Sequence, residues 1–496
     1  MDAVSFLIGV GLIHCCLFFF NVLFRSCSHY PYLYFLQNTG LDIQVLQIKW
    51  YTTAFNRMIV KWVMDRLKFW SAWFNIGVII SIILVPVSFL MVMKMSFDLL
   101  FGGSAQGDKN SVIILEPMLP GVNMPFNDIG YYTLTLAVCI VVHELGHALA
   151  AAREDVQVYG MGIGLIYIVP MAYTDINKEQ LAALPVCNKL RVICAGIWHN
   201  VFLALVVTIV LIVTTWMWTP FYTIGSGISV KAITHNSPLL GPSGLLVQDV
   251  IYKVNDCVVK DKDDWYQCIL NAVRQPTSGY CIAQKIFQEY DESVPAKHMS
   301  NGAVNCCSAD SEINGSLCFE YVEGTQVAPL QLPLHSCLPA RIIADQSQKF
   351  CQSSQHCSSL GTYCMRPSLD NVTKVVQIKR QEGKDVLFFG YPGDIYRTVD
   401  VSDWIPKYNI LHSEVPETLA LFCKYIIAFS AGLAIINAVP CFCFDSEYIT
   451  NTLTHYLLKS VIRHKSLRHA IALTITCMGS ILFGINAVHM FINKVI

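Results

Sequence analysis

Residues 137–152 read AVCIVVHELGHALAAA, an apolar run that holds three ionisable side chains at His143, Glu144 and His147. On an α-helix, positions four apart lie one turn apart on the same face, so both imidazoles can reach a common metal ion. Glu144 lies beside them, where a carboxylate can take a proton from an attacking water molecule. Ionisable residues in an apolar helix are costly in lipid, which favours a functional role. The alternative is a purely structural network of hydrogen bonds between helices.

The composition of the whole chain indicates a membrane protein. Of its 496 residues, 54% are hydrophobic and only 14% are charged, whereas about a quarter of a soluble domain is charged. The net charge of −1 gives no sign of a nucleic-acid partner. We predict a polytopic α-helical protein in a lipid bilayer, with about six transmembrane helices. The apolar runs of spanning length lie at roughly 3–24, 72–96, 131–152, 197–219, 417–440 and 469–492.

A shorter apolar stretch at about 158–173 is broken by Gly160, Gly162, Gly164 and Pro170. These residues argue against an ordinary spanning helix. A re-entrant hairpin or strand pair, shielded from lipid by the helices, is predicted instead. Such a strand edge could pair with an unwound substrate segment.

Basic residues predict the orientation of the spans. By the positive-inside rule, the loops that carry them face the cytosol. The N-terminus and residues 220–416 are then luminal, and the HExxH site opens toward the cytosolic side. The first run could instead be a signal peptide, but no basic residue precedes it, so a retained helix is favoured. The basic loop residues are Arg25, Lys49, Arg57, Lys61, Arg66, Lys68, Arg153, Lys178, Lys189, Arg191, Lys459, Arg463, Lys465 and Arg468.

Ten of the 20 cysteines fall between Cys257 and Cys364. An even-numbered cluster in a polar stretch predicts a disulfide framework in an oxidising compartment. The alternative, a cytosolic metal-binding module, is less favoured because no His is in phase with these cysteines and C-x2-C pairs do not repeat. Two glycosylation sequons, at Asn314 and Asn371, agree with a luminal segment.

The same luminal segment begins with a strand-turn-strand pattern over residues 227–255. Its spacing resembles a PDZ domain, which binds extended segments at a sheet edge; another small β domain is the alternative. A Cys-rich insert at about 280–365 interrupts it, and residues 372–403 supply the remaining strands.

The chain is therefore expected to consist of four parts. Residues 1–96 hold the first two helices and a basic cytoplasmic loop. Residues 97–219 form the membrane core with the HExxH helix, the re-entrant segment and the fourth helix. Residues 220–416 are the luminal PDZ-like domain with its insert, and residues 417–496 hold the fifth and sixth helices.

Two histidines leave a tetrahedral zinc site short of a third protein ligand. Asp445 is the candidate, at the end of the fifth span in the segment NAVPCFCFD, residues 437–445. In the predicted topology the third and fifth spans run in the same direction, so His147 and Asp445 lie at compatible depth. The alternative is an ordinary helix-end carboxylate at the membrane interface.

Together these motifs resemble the site-2 protease family, and its animal members most. The resemblance covers most of the chain and is carried by His143–His147, Gly196-x-x-x-Asn200, the Asn437…Pro440…Asp445 segment and the luminal insert. It implies that one Zn²⁺ per chain is held by His143, His147 and Asp445, with Glu144 as the catalytic acid/base.

The resemblance further implies that Asn200 and Asn437 line the cleft and assist substrate binding or the developing oxyanion. One departure is Ser446, where the family usually has Gly after the aspartate; its Cβ restricts the backbone more than Gly does. The implied substrates are single-span, membrane-tethered transcription factors of the Golgi and endoplasmic reticulum, such as sterol-regulatory element-binding proteins and stress-response factors. They would be cut after a first luminal cleavage.

Two other functions are weighed against proteolysis. A catalytically silent scaffold or chaperone could bind substrates through the PDZ-like domain, but the intact HExxH motif and Asp445 argue against it. A metal-ion transporter would be expected to show polar positions along several helices and paired repeats, and the sequence shows neither.

Overall fold

A computed structural model describes residues 3–101, 128–241, 243–300, 302–322, 333–347, 349–357, 361–370 and 372–495. Its internal contacts divide the chain into two compact units. The first comprises Met1–Val213 with Ala420–Ile496, and the second comprises Thr214–Leu419. The four-part division predicted from the sequence stays a prediction, because the contacts define only these two units. The sequon residue Asn371 lies outside the described residues.

The N-terminal part of the first unit is mainly helical. Its longest helix continues through Pro86, which a membrane helix tolerates better than a soluble one. The helices are α1 (Ala3–Ser26), α2 (Tyr30–Thr39), α3 (Asn56–Asp65), α4 (Leu67–Phe101), α5 (Ile129–Arg153), α6 (Lys178–Ala183), α7 (Val186–Ile193) and α8 (Ala195–Trp218).

A four-stranded antiparallel sheet accompanies these helices. Residues 158–176 form a strand pair, as predicted, but two strands from the region predicted as a basic loop extend it. The sheet order is β1-β2-β3-β4, so β4 is an edge strand. Its placement at membrane depth stays a prediction. The strands are β1 (Leu41–Gln44), β2 (Gln47–Thr52), β3 (Val158–Ile166) and β4 (Val169–Ile176).

Within its described residues, the second unit contains two larger sheets and two two-stranded sheets, β10-β11 and β5-β19. One large sheet has six strands, in the order β17-β16-β7-β6-β18 with β8 paired to β7; the other has five, in the order β13-β12-β15-β9-β14. The helices are α9 (Lys262–Arg274), α10 (Gln284–Tyr290), α11 (Ala309–Ile313), α12 (Ala340–Gln346) and α13 (Pro392–Thr398). The strands are β5 (Tyr222–Thr223), β6 (Ile228–Ile233), β7 (Val250–Val254), β8 (Cys257–Val258), β9 (Gly279–Ala283), β10 (Lys297–His298), β11 (Val304–Asn305), β12 (Ser316–Tyr321), β13 (His335–Pro339), β14 (Phe350–Cys351), β15 (Thr362–Pro367), β16 (Lys374–Arg380), β17 (Val386–Gly390), β18 (Val399–Ser402) and β19 (Ile405–Pro406).

The chain order of these strands shows an insertion. The six-stranded sheet takes β6–β8 from before the Cys-rich stretch and β16–β18 from after it, while the five-stranded sheet is built from the stretch itself. Each sheet has its own apolar core, centred on Trp265 in the first and on Phe319 in the second. The PDZ-like identity of the six-stranded sheet stays a prediction.

All ten cysteines between Cys257 and Cys364 are paired, which confirms the predicted disulfide framework. The sulfurs of Cys281, Cys351 and Cys357 lie within 4.8 Å of one another, a spacing that a metal could use. Each belongs to a disulfide, however, and a disulfide offers no thiolate to a metal. The pairs are Cys257–Cys268, Cys281–Cys357, Cys306–Cys318, Cys307–Cys337 and Cys351–Cys364.

The chain ends with α14 (Glu414–Ala438), α15 (Asp445–Leu457) and α16 (Lys465–Val495). Six of the described helices are long and apolar enough to cross a membrane, which agrees with the predicted number. The candidate spans are Ser5–Ser26, Leu67–Leu99, Ile129–Arg153, Ala195–Trp218, Glu414–Ala438 and Lys465–His489.

Small residues bring α5 close to its neighbours. Its C-terminal half is buried at Ala148, Ala150, Ala151 and Ala152, where short side chains allow backbones to approach. The residues packed there include Ile59 and Val63 of α3. This packing surrounds the turn of α5 that follows the HExxH motif.

Candidate metal centre

The structure brings His143, His147 and Asp445 together. The two histidines lie one turn apart on α5, and Asp445 is the first residue of α15. Asp445 Oδ2 is 3.2 Å from His143 Nε2 and 3.3 Å from His147 Nε2, and the two Nε2 atoms are 3.3 Å apart. The side chains are 9%, 13% and 20% exposed, respectively. Three potential ligand atoms thus converge in a nearly dry site.

The donor set fits a zinc ion. Tetrahedral ligands about 2.0–2.1 Å from zinc lie about 3.3–3.4 Å apart, which agrees with the three separations. His147 Nδ1 is 2.8 Å from the carbonyl oxygen of Val192. Because a carbonyl only accepts, Nδ1 holds the proton and Nε2 presents a lone pair. Asp445 Oδ2 is buried and makes no hydrogen bond with any described residue, so a cation would satisfy it.

Two glycines let α8 approach α5 at this point. A Cβ on Gly196 would lie 2.5 Å from His143 Nε2, and a Cβ on Gly146 would lie 2.7 Å from the carbonyl oxygen of Ala195. Real Cβ contacts at these distances do not occur without displacement of the neighbour. Gly146 and Gly196 are therefore required for the same physical reason, because the two helices cross closely at this point.

Asn200 contacts the first histidine. It is fully buried on α8, and its amide nitrogen lies 3.2 Å from His143 Nδ1, while its Oδ1 is buried without a hydrogen-bond partner. A half-turn about the Cβ–Cγ bond would exchange the two amide ends and let Oδ1 accept from Nδ1–H. Asn437 lies on α14, half-buried. Within the described residues its amide makes no hydrogen bond to the three converging side chains.

A serine hydroxyl makes a hydrogen bond across the segment that carries Asp445. Ser446 is fully buried, and its Oγ donates to the carbonyl oxygen of Val439. The backbone N–H of Phe442 donates to Ser480 Oγ of α16 at 3.1 Å. The left-handed residue in this segment is Cys443, with φ of +70°. Ser446 lies in the first turn of α15, so its Cβ meets no conformational conflict there.

Glu144 is half-buried beside the three converging atoms. Its carboxylate makes no hydrogen bond within the described part of the chain. Its backbone carbonyl accepts a hydrogen bond of 2.9 Å from Thr174 Oγ1 of β4, which fixes the edge strand next to the HExxH turn. A free carboxylate beside a zinc-type donor set can accept and return a proton.

Three contributors were not predicted from the sequence. They are the carbonyl of Val192, the hydroxyl of Ser446 and the hydroxyl of Thr174. In sequence they lie 45, 7 and 30 residues from the partners that they contact, which are His147, Val439 and Glu144, respectively. A backbone carbonyl leaves no trace in sequence, and serine and threonine are common in helices and strands. His199, the neighbour of Asn200 in the sequence, lies outside the ligand group, and its Nδ1 is 2.8 Å from the carbonyl oxygen of Ala195.

The chain matches known proteins across this site. The model of "Peptidase family M50" matches residues 131–482, which include His143, Glu144, His147 and Asp445. A curated protein of Arabidopsis thaliana, "Membrane-bound transcription factor site-2 protease homolog", is 29% identical over 240 residues. That alignment covers 44% of this chain and 45% of the relative, so the chain spans less than half of the relative's length. Because the family model covers well over half of the chain, the protein belongs to peptidase family M50, the family of the site-2 proteases.

Proposed function

We propose that this protein is a zinc metalloprotease that cleaves other membrane proteins within a membrane-spanning segment. The observation that carries the proposal is the convergence of His143, His147 and Asp445 within 3.3 Å of one another, beside Glu144. Two of these ligands lie in a helix that is long and apolar enough to span a bilayer. The chemistry would then take place at membrane depth.

In this proposal three of the residues hold the metal and a fourth transfers a proton. Zn²⁺, when bound by His143, His147 and Asp445, supplies a Lewis acid that activates water and polarises the scissile carbonyl. Glu144 accepts the proton of the attacking water and delivers it to the leaving amine. The carbonyl of Val192 keeps the His147 lone pair on Nε2.

Asn200 has a positioning role in this proposal. With Oδ1 turned toward His143, its amide accepts the proton of Nδ1 and fixes the lone pair on Nε2. This role differs from the cleft-lining role that the family resemblance implies. Asn437 remains a candidate for the cleft.

The edge strand β4 is the proposed site for the substrate backbone. A helical substrate must unwind before cleavage, because its carbonyls are otherwise hydrogen-bonded within the helix. An unwound segment can add to a sheet edge through main-chain hydrogen bonds. Thr174 of β4 contacts the carbonyl of Glu144, so a strand added there would run next to the catalytic turn.

The substrates are proposed to be membrane-tethered transcription factors of the Golgi and endoplasmic reticulum, already cut once on the luminal side. The name of the Arabidopsis thaliana relative, "Membrane-bound transcription factor site-2 protease homolog", supports membrane-bound transcription factors as the substrate class. We propose that the disulfide-bonded second unit is luminal and excludes substrates with bulky luminal domains. The exposed sequon residue Asn314 is compatible with that side of the membrane.

The decisive experiment compares release of a membrane-tethered reporter by wild type and by Glu144→Gln. Gln keeps the shape but cannot accept a proton, so we expect release to fall by about 10²-fold or more while zinc content is unchanged. Glu179→Gln, the same chemical change at an exposed position of α6, is the matched control and should cleave normally. Equal release by wild type and Glu144→Gln would overturn the proposal and favour the scaffold function.

A further inference from the structure

Arg468 is a buried arginine whose charge is not paired. It lies in the first turn of α16 and is only 7% exposed. Its Nη1 donates to the carbonyl oxygen of His455 at 3.1 Å, but its Nε is buried without a hydrogen-bond partner. Within the described residues Arg468 forms no ion pair with a carboxylate. Because a buried guanidinium is costly without a counter-charge, a bound anion would stabilise Arg468.

The side chains around Arg468 are basic. The rings of His455 and His469 stack with centroids 6.3 Å apart. Burial lowers the pKa of His455, and the positive charges of Arg468, His469, Lys189 and Lys465 lower it further. The group defined by Arg468, His455, His469, Lys189 and Lys465 is hereafter called the basic cluster. In the described part of the chain, none of its members forms an ion pair with a carboxylate.

The basic cluster lies at one end of a candidate membrane span. The span Lys465–His489 has 25 residues and is about 37 Å long as a helix, longer than the hydrocarbon core of about 30 Å. In a bilayer of that thickness, a helix of this length would place its first turn at the level of the lipid headgroups. Lys465 and His469, at this end of the helix, are exposed, whereas Arg468 is buried.

We propose that the basic cluster binds the phosphate of an anionic phospholipid headgroup. The Arg468 fork would meet the phosphate oxygens, and Lys465 and His469 would cover them from the exposed side. The hydrogen bond from Nη1 caps a carbonyl in the last turn of α15, but it explains the position of that one nitrogen only. A general preference of cytosolic loops for basic residues accounts for exposed cations, but not for a buried Nε without a partner. A lipid is favoured over a soluble anion because the cluster is at headgroup level. The proposal does not depend on the proteolytic function.

The test is a lipid titration of the purified full-length protein, followed by native mass spectrometry. The probes are dioleoyl phosphatidic acid and dioleoyl phosphatidylcholine, with inorganic phosphate as a competitor. Wild type should retain one phosphatidic acid in preference to phosphatidylcholine. Each lost cation should weaken retention about fivefold, and Arg468→Gln about tenfold or more because the buried fork is lost.

The exposed residues of the basic cluster, Lys465 and His469, provide a second test if Arg468→Gln does not fold. Lys465→Gln with His469→Gln should weaken phosphatidic acid retention, whereas Arg463→Gln with His464→Gln should not. The second pair also removes one long basic side chain and one histidine from exposed positions, and neither residue is among the largest causes of the lowered His455 pKa. Retention equal to wild type in the Lys465/His469 variant would overturn the proposal. Displacement of the lipid by an equal concentration of inorganic phosphate would overturn it as well, in favour of a soluble anion.

Discussion

At the residue scale, Gly196 lies directly against the proposed metal ligands. A Cβ there would lie 2.5 Å from His143 Nε2. Gly196→Ala should therefore displace His143 and weaken zinc binding by about 10-fold or more, the effect typical of disturbing a ligand's support. Competition with a chelator on the purified protein measures this change.

Gly432 provides the matched control for this substitution. It lies on α14, another candidate span, and a Cβ there would meet nothing within 4 Å. Gly432→Ala should bind zinc as wild type does. If Gly196→Ala also binds zinc with wild-type affinity, the close crossing of α5 and α8 is not what sets the ligand geometry.

Ser446 gives a second prediction, on the hydrogen bond that closes the Asp445 segment. Ser446→Ala leaves the carbonyl of Val439 without this buried donor, a loss of about 1–3 kcal/mol. The strain falls on the turn that presents Asp445, so zinc affinity should drop about 10-fold. Ser446→Gly should drop similarly, because the hydroxyl and not the backbone freedom matters here.

A buried serine away from the metal separates this effect from general destabilisation. Ser88 is 1% exposed and donates to the carbonyl of Val85 at 2.9 Å. Ser88→Ala should lose a comparable hydrogen bond yet hold zinc normally. Wild-type zinc affinity in Ser446→Ala would show that the segment is fixed by other contacts, such as that of Phe442 with Ser480.

The sequence could identify the ligand candidates but not their supports. His143 and His147 follow from a local motif, and Asp445 follows from matching depth in two spans; the structure places the three together. The supporting atoms at Val192 and Asn200 lie 45 and 57 residues away from the histidines they contact. Such pairings depend on how α7 and α8 pack against α5, which a local pattern does not specify.

At the element scale, an ion pair ties α5 to α7 and α4. Arg191 Nη1 is 2.9 Å from Glu154 Oε1, and Arg191 Nε donates to Asn75 Oδ1 at 2.8 Å. The side chains of Glu154 and Arg191 are 2% and 17% exposed, so Glu154→Ala leaves a largely buried guanidinium without its counter-charge. We expect a loss of about 3–5 kcal/mol of stability, measured by thermal unfolding of the purified protein.

A double-mutant cycle tests whether the two side chains act as one unit. Arg191→Ala alone should also destabilise, because it leaves the Glu154 carboxylate buried. The double variant should lose less than the sum of the two single losses, since neither charge then remains unpaired. Additive losses would mean that the two residues stabilise the protein through separate contacts.

The same scale shows where sequence patterns succeed and fail. Spans were predictable because about 20 consecutive apolar residues suffice to mark each one. Strands β1 and β2 were predicted as part of a basic loop, although residues 41–44 alternate between apolar and polar. β1 pairs with β2, but the other partner of β2 is β3, more than 100 residues away in the chain. A short alternating run does not reveal so distant a partner.

At the scale of the whole molecule, the two units differ in how they are held together. The three proposed metal ligands lie in the helical unit, and each of the six candidate spans begins or ends there. In this unit apolar helices pack through small residues. All five disulfides lie in the second unit. Because the stabilising interactions are separate, loss of a disulfide should leave the metal ligands in place.

The disulfides also differ from one another in a way that can be measured. Cys281–Cys357 spans 76 residues of chain and Cys257–Cys268 spans 11. The loop-entropy relation makes the longer link more stabilising by about 1.7 kcal/mol at 25 °C. Two further disulfides nested within the longer loop shorten it in effect and reduce this difference.

Paired serine variants of each disulfide test this prediction. In the Cys281→Ser/Cys357→Ser variant, hydrogen exchange is measured in the five-stranded sheet; in the Cys257→Ser/Cys268→Ser variant, it is measured in the six-stranded sheet. The rise in exchange over wild type should be larger in the first variant than in the second. Both variants should retain one zinc per chain, since no ligand belongs to the second unit. The reverse order of exchange would contradict the loop-length argument. Loss of zinc from either variant would mean that the helical unit needs the intact second unit to hold His143, His147 and Asp445 together.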